Sequence, residues 1–470
     1  QQLQARPSPR PQQPQQVFRS AEEVNIPLEY RKYHESFMQN NHGSSAPHVF
    51  FCIFFTVQCS VYSSLRLRNC KSSQYFYEYI FIILPLILAH TILSIYIYFL
   101  NFVVIIMFTY EFLHYPKKDK PIKQLYVKNQ KIYSISLIRG LTYIITACAI
   151  LAVDFNDFPR YLAKTERFGY SLMDTGVGLF VLMSGLVHKD LQRHSFTQII
   201  KSNFKFISVL VFLGTVRYLS VKQMDYQEHV TEYGVHWNFF YTLAVCKLFS
   251  TMILYFNINA FYYSFILLFI HECVLFSGVQ EWVFSSTLRE TLIDANREGV
   301  SSCLGYVSLY LFAAHIKKVL CLKSPPLHIR LFKYISIHTN TVQILLILGS
   351  VILWALLYVI NTFRPISRTL ANTAYCVFLE ATLVTILTML YYIENVLQDE
   401  QCTLREPKII ESVNNNGLSY FLIANLLTGA VNLSLQTLFQ STITTIIILN
   451  VYMILALVFT VWLRKKGIKI

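Results

Sequence analysis

The residues best suited to chemistry fall in a few polar stretches between long apolar runs. The first begins at Asp154, which ends the run Ala149-Ile-Leu-Ala-Val153, and continues through Asp157, Pro159, Arg160, Lys164, Glu166 and Arg167 to Asp174, Gly176 and Gly178. A carboxylate at the end of an apolar run is costly unless paired or wetted. If the segment were straight, Asp154 and Lys164 would lie ~15 Å apart at the rise of a helix. Pro159 pushes Phe158 away from helical geometry, so a turn is expected that folds Lys164 back toward Asp154. Such a pair suits a base and an oxyanion donor. The alternative is an interfacial helix cap whose basic residues reach outward along their stems.

The second stretch holds Arg217, Lys222, Asp225, Glu228, His229, Glu232, Tyr233, Gly234, His236, Trp237 and Asn238. Arg217 lies within an apolar run and calls for an anionic partner. On one helix, His229, Glu232 and His236 would share a face. That spacing also permits a metal, but there is no HExxH, Gly234 weakens a helix, and no fourth ligand is evident, so no metal is expected. A cluster that holds a sugar or phosphate head group and a structural hydrogen-bond network fit the composition equally. A third stretch, Asp294-Ala-Asn296-Arg297-Glu298-Gly299, suits a helix start able to attract an anion, or a plain cap. Arg364, Arg368 and Asn372 form a fourth group, its guanidiniums suited to phosphate. There is no GxSxG, Walker A or GxGxxG.

These stretches must be positioned by the apolar runs between them. Of 470 residues, 54% are hydrophobic and only 14% charged, against about 25% charged in soluble domains. A membrane-crossing helix takes about 20 mostly apolar residues. Thirteen segments qualify: 47–63, 77–95, 96–113, 135–153, 171–188, 204–222, 237–256, 258–278, 299–316, 341–362, 371–395, 417–435 and 441–463. The breaks near Ile95 and Asn257 decide the number. The fold class is therefore an all-α polytopic transmembrane bundle. Residues 1–46 read as a polar, partly disordered segment without a cleavable signal peptide, 47–463 as the membrane domain and 464–470 as a basic tail.

The net charge of +14 does not indicate nucleic acid, because the basic residues sit in short blocks between apolar runs. One block carries Lys117, Lys118, Lys120, Lys123, Lys128 and Lys131; the tail carries Arg464, Lys465, Lys466 and Lys469. The positive-inside rule then makes the C-terminus cytoplasmic and, with thirteen spans, the N-terminus lumenal. The mildly acidic stretch 396–416 fits this poorly. The stretches 154–170, 223–236 and 279–298 then share the lumenal side. The scattered cysteines suggest neither a disulfide framework nor a metal site.

At these residues the chain resembles the inositol acyltransferases of glycosylphosphatidylinositol (GPI) anchor synthesis, called PIG-W in animals and GPI-anchored wall transfer protein in fungi. The resemblance runs collinearly from about residue 135 to 435. It includes Ala149 through Phe155 with Phe158-Pro159-Arg160 and Ala163-Lys164-Thr-Glu166, then Met173-Asp174-Thr-Gly176-Val-Gly178. It continues with Glu228 through Phe240, Ala295 through Gly299, Ser367-Arg368 with Ala371-Asn372, and Asn416-Gly417 through Ala424-Asn425, Thr428-Gly429 and Asn432. Where the family usually has Ser-Arg-Arg, this chain has Ser367-Arg368-Thr369. The resemblance implies transfer of a fatty acyl chain, usually palmitoyl, from coenzyme A to the inositol of glucosaminyl-phosphatidylinositol in the endoplasmic reticulum membrane. It implies Asp154 and Lys164 as the catalytic pair, with acyl-coenzyme A as co-substrate and no permanently bound cofactor.

The residues agree with that implication, since a hydroxyl nucleophile needs a base within hydrogen-bond reach. Arg217, Lys222, Arg297 and Arg368 are candidates for phosphate, of donor or acceptor. Asp174, Glu228, His229, Glu232, Tyr233, His236, Trp237, Asn238, Asn296 and Asn372 are candidates for the head group. Two rivals stand beside it: a transporter or flippase for a lipid-linked sugar, and a membrane-bound O-acyltransferase using His236. The topology is directly testable. In sealed microsomes, a tag before residue 20 should be protected from protease and one after Ile470 digested; both tags on one side would contradict an odd number of spans.

Overall fold

A backbone in hydrocarbon must satisfy its own N–H and C=O groups, so long apolar stretches fold as helices. The computed structural model describes residues 41–468 except 69–72, 115–131, 189–195, 224–231, 257–258, 323–325, 333–334 and 398–404, together with Tyr30, Tyr33, Ser36, Phe37 and Gln39. Those five belong to a small separate unit, Gln1–Gln39; everything below concerns the unit Asn40–Ile470.

Its helices are α1 (Ala46–Arg66), α2 (Gln74–Ala89), α3 (Ile97–Leu113), α4 (Tyr133–Ala152), α5 (Leu172–Leu186), α6 (Phe196–Gln223), α7 (Phe239–Tyr255), α8 (Ala260–Phe284), α9 (Arg297–Leu320), α10 (Thr341–Phe363), α11 (Thr373–Leu397), α12 (Lys408–Asn415), α13 (Gly417–Ser434) and α14 (Thr442–Lys465). Each of the thirteen expected segments coincides with one of these. Among the described residues, ten helices are long and apolar enough to cross a membrane. The other three, α2, α5 and α7, are shorter: the 15 residues of α5 reach only ~22 Å.

Polar residues set the helix starts. Ser45, Ser171, Asn238, Asn340 and Ser441 each accept hydrogen bonds from first-turn amides of the helix that follows, which satisfies donors that a helix leaves orphaned. Gly278, at φ +105°, lies within a widened turn of α8. Helices α1, α4, α9 and α11 are largely enclosed, whereas α3, α6, α8 and α10 are mostly open to the outside. The surface accordingly carries Phe99, Phe102, Phe212, Phe269, Ile352 and Tyr358, an apolar rind suited to lipid.

Two features depart from the sequence reading. Between the apolar runs 299–316 and 341–362, β1 (Pro326–Phe332) pairs antiparallel with β2 (Ile335–Asn340). The acidic stretch read as a loop contains α12, which has one apolar face. Its first amides, Lys408 N and Ile409 N, donate to the Glu78 carboxylate at 2.9 and 2.8 Å, and Arg464 pairs with Glu411 at 2.5 Å. Carboxylates here thus serve as a helix cap and an ion-pair partner, which net loop charge does not reveal.

Close packing of α5 on α9 depends on Gly185. A Cβ there would run into the Tyr310 carbonyl and sit 2.7 Å from the Ala313 Cβ. Gly185→Val should therefore destabilise the bundle by about 1–3 kcal/mol, the usual cost of overpacking. A lowered melting temperature in detergent checks this; an unchanged one would show that α5 and α9 can move apart freely.

Candidate active site

The loop between α4 and α5 carries the first two candidates. Helix α4 ends at Ala152, turns follow as far as Phe158, and after the extended Pro159 comes a single tight turn, Arg160–Leu162. Arg160 donates back to the Val153 carbonyl at 3.1 Å. The Asn41 amide donates to the carbonyls of Ala163 and Lys164 at 2.6 and 2.7 Å, fixing the descending limb. Asp154 is buried, and the Asn432 amide of α13 donates to its Oδ2 at 2.8 Å. Burial lowers the Arg160 guanidinium while the Asp154 charge raises it, which sets this cation beside the carboxylate.

Lys164 is turned to a different partner than the one the spacing suggested. Its Nζ donates to both oxygens of Glu232, at 2.6 and 2.8 Å. Burial pushes the Glu232 carboxyl up, but the Lys164 ammonium, with Arg368 and Arg217 behind it, outweighs burial and holds it at about 2. Arg368 is buried and pairs with Asp174 at 2.9 Å, and its guanidinium lies 5.8 Å from the Tyr233 ring centre. Burial alone would lower Arg368; the carboxylates of Asp174 and Glu232 raise it instead. The second Asp174 oxygen accepts from Thr165 N at 3.1 Å and Thr165 Oγ1 at 2.7 Å. Asp174 therefore ties Arg368 to the residue after Lys164. Of the four predicted stretches, three meet here through Lys164, Asp174, Arg217, Glu232, Tyr233 and Arg368.

Other candidates do local structural work. The segment Glu232–Asn238 is a turn and extended chain instead of the helix that the histidine spacing suggested. Gly234, at φ +108°, takes a conformation that L side chains avoid, and a Cβ would meet Ala295 O at 2.6 Å. Asn296 Oδ1 accepts from His236 N at 2.8 Å and Trp237 N at 2.9 Å, clamping this segment onto the start of α9. Trp237 packs against Gly299, and its Nε1 donates to Thr242 at 2.9 Å. The His236 ring lies 5.3 Å from that of Tyr218. Asn238 caps α7 and donates to Gly214 O at 2.9 Å. Arg297 is buried and donates to Ser285 and to Thr287 Oγ1. Asn372 joins Ser367 N to Tyr375 N through one oxygen. Arg364 pairs with Glu272 at 2.7 Å. Glu228, His229 and the Lys222 side chain lie outside the described residues.

Residues flanking both polar groups pack on one apolar cluster, called the floor below. Phe180, Phe239, Phe240 and Phe421 form a buried cluster, and Ile150, Val177 and Tyr233 pack against it. Ile150 is one helical turn before Asp154, Val177 one turn after Asp174, and Tyr233 adjoins Glu232. Asn432, on a largely apolar helix, and Arg160 were not read as site residues from the sequence; the first carries its own signal, a side-chain amide in an apolar segment.

With this geometry in hand, comparison with known proteins decides the lineage. The sequence model of the GWT1 family matches residues 30–463. The chain is a member of the GWT1 family. Among relatives, GPI-anchored wall transfer protein 1 of Schizosaccharomyces pombe is 33% identical over 73% of this chain and 74% of its own length. The glucosaminyl-phosphatidylinositol-acyltransferase PIGW of Bos taurus is 29% identical over 94% of this chain and 100% of its own. The Homo sapiens protein of that name is 31% identical over 72% of this chain and 74% of its own. The blocks quoted for the resemblance lie inside the GWT1 match, and they include Lys164, Asp174, Glu232, Tyr233 and Arg368.

Glu232 makes stability pH-dependent. Its folded value of about 2 lies below the ordinary 4.5, so the stabilisation is complete above 4.5 and lost as pH falls toward 2. Melting curves between those pH values should fall less steeply for Glu232→Gln than for the native protein. Equal slopes would mean that Glu232 is not held by Lys164 and Arg368 in solution.

Proposed function

We propose that this chain is an O-acyltransferase that moves a fatty acyl group, usually palmitoyl, from acyl-coenzyme A to an inositol hydroxyl of glucosaminyl-phosphatidylinositol in GPI-anchor biosynthesis. The observation that carries the reading is a buried carboxylate, Asp154, held by an amide and flanked, like the cationic cluster, by residues packed on one aromatic cluster, in a chain of the GWT1 family. The names of the animal relatives support the acceptor. The reaction is assigned to the lumenal face of the endoplasmic reticulum membrane, with the acyl-coenzyme A donor and the acceptor lipid as its two partners.

In this mechanism Asp154 accepts the proton as the inositol oxygen attacks the thioester carbonyl. The tetrahedral intermediate collapses, the C–S bond breaks, and the proton ends on the coenzyme A thiolate. Lys164 is the oxyanion donor. It must exchange part of its bidentate bond to Glu232 for the developing charge, and Glu232 holds it close until then. Among the described residues, the cluster carries three cations, Lys164, Arg217 and Arg368, against two carboxylates, Asp174 and Glu232. The surplus positive charge matches one phosphodiester, and exposed Arg217 is the guanidinium able to meet it. Asp174 and Arg368 position the others, and Tyr233, His236 and Trp237 line the approach.

Asp154→Asn keeps the shape but removes the base. Microsomes containing it should accumulate glucosaminyl-phosphatidylinositol without acylated product at normal protein level. Lys164→Met should lower turnover about 10²–10³-fold, as loss of one oxyanion donor does, with donor affinity little changed. Normal turnover by Asp154→Asn would contradict the base; a loss confined to donor affinity would make Lys164 a coenzyme A contact.

A further inference from the structure

Among the half-buried positions of helix α13 are Asn425, Gly429 and Asn432. Their spacing, four and three residues, stacks them on one side of the helix. One turn below Asn425, Phe421 joins the aromatic floor: its ring lies 5.9 Å from that of Phe239 and 5.7 Å from that of Phe180. From Phe421 to Asn432 the helix rises ~16 Å, and at the top Asn432 donates to Asp154 at 2.8 Å. Gly429 lies between the two amides, and a Cβ built on it meets nothing within 4 Å. Space is therefore open beside Gly429, between Asn425 and Asn432 along the helix. Behind the edge, Thr428 is buried and donates to its own helix at Ala424 O, 3.0 Å away, and toward the Tyr452 hydroxyl at 3.4 Å. That hydroxyl donates to Ala147 O of α4 at 2.9 Å, so the edge is braced against the helix that ends near Asp154.

We infer that the Asn425–Gly429–Asn432 edge of α13 is the polyol subsite, which takes the cyclohexane-polyol ring of the acceptor and sets one hydroxyl against Asp154. Side-chain amides both donate and accept, which suits them to vicinal hydroxyls that do the same. The missing side chain at Gly429 admits the face of a ring. Asn432 is a positioning residue: its amide fixes one Asp154 oxygen. The charged cluster at Glu232 then takes the phosphodiester of the same molecule, so polyol and phosphate are recognised by different elements over one floor. This rests on the reading of Asp154 as base, and the test separates the two.

The probe is purified full-length enzyme in detergent with a short-chain glucosaminyl-phosphatidylinositol and palmitoyl-coenzyme A. Gly429→Leu should fold, because nothing occupies the space, and should raise the acceptor KM about tenfold or more while leaving the donor KM unchanged. Asn425→Ala, which cannot overfill the site, should shift the acceptor KM in the same direction. In an Asp154→Asn background, which needs no turnover, acceptor retention measured by native mass spectrometry should fall on adding Gly429→Leu. Unchanged acceptor KM and unchanged retention in Gly429→Leu, with Asp154→Asn inactive, would overturn the subsite and leave the base intact. Full activity of Asp154→Asn would remove the base reading and this inference with it.

Discussion

The buried ion pair between Arg368 and Asp174 is the constraint around which the site is organised. Two charges withdrawn from water cost several kcal/mol each unless geometry and further hydrogen bonds compensate. Here the compensation is spread over separate parts of the chain. Asp174 is in the first turn of α5, where the helix start favours a carboxylate, and it also holds both donors of Thr165. Arg368 comes from the loop between α10 and α11 and faces Tyr233 and Glu232. Removing either partner would leave an uncompensated buried charge. The pair therefore couples the loop bearing Lys164 to the segment bearing Glu232.

Rigid elements surround this pair, as an accurate site requires. The start of α9 grips Glu232–Asn238 through Asn296, and Gly234 and Gly299 permit the close approach. The chain before Asp154 is a buried helix, and the chain after it is pinned by Asn41. The mobile parts of the chemistry are then few: a Lys164 side chain that is partly exposed, and Arg217 on α6.

Hydropathy made the helices legible because a membrane allows few alternatives to a helix, and every expected segment holds one. The breaks near Ile95 and Asn257 fall where α2 gives way to α3 and α7 to α8. Composition alone did not reveal the short strand pair β1–β2 or α12, whose partners Glu78 and Arg464 are distant in sequence. The candidate site was legible as residue types and not as partners. Lys164 and Asp154 were drawn together by their proximity in sequence, whereas the bidentate partner of Lys164 is Glu232, on a segment brought close only by folding. Asn238, Asn296, Arg297 and Asn372 look like ligand-binding polar groups in a linear reading. In the fold, each has backbone or hydroxyl partners of its own.

The central claim is that a hydroxyl is activated at Asp154 while the neighbouring cationic cluster holds charge. A structure of the enzyme with the acceptor lipid and a non-transferable acyl-coenzyme A analogue tests it most directly. The account predicts one ring hydroxyl within about 2.6–3.2 Å of Asp154, the acyl carbonyl oxygen facing Lys164, and the acceptor phosphate near Arg217. A complex with the polyol away from Asp154, and with the Lys164–Glu232 pair distant from both substrates, would contradict it.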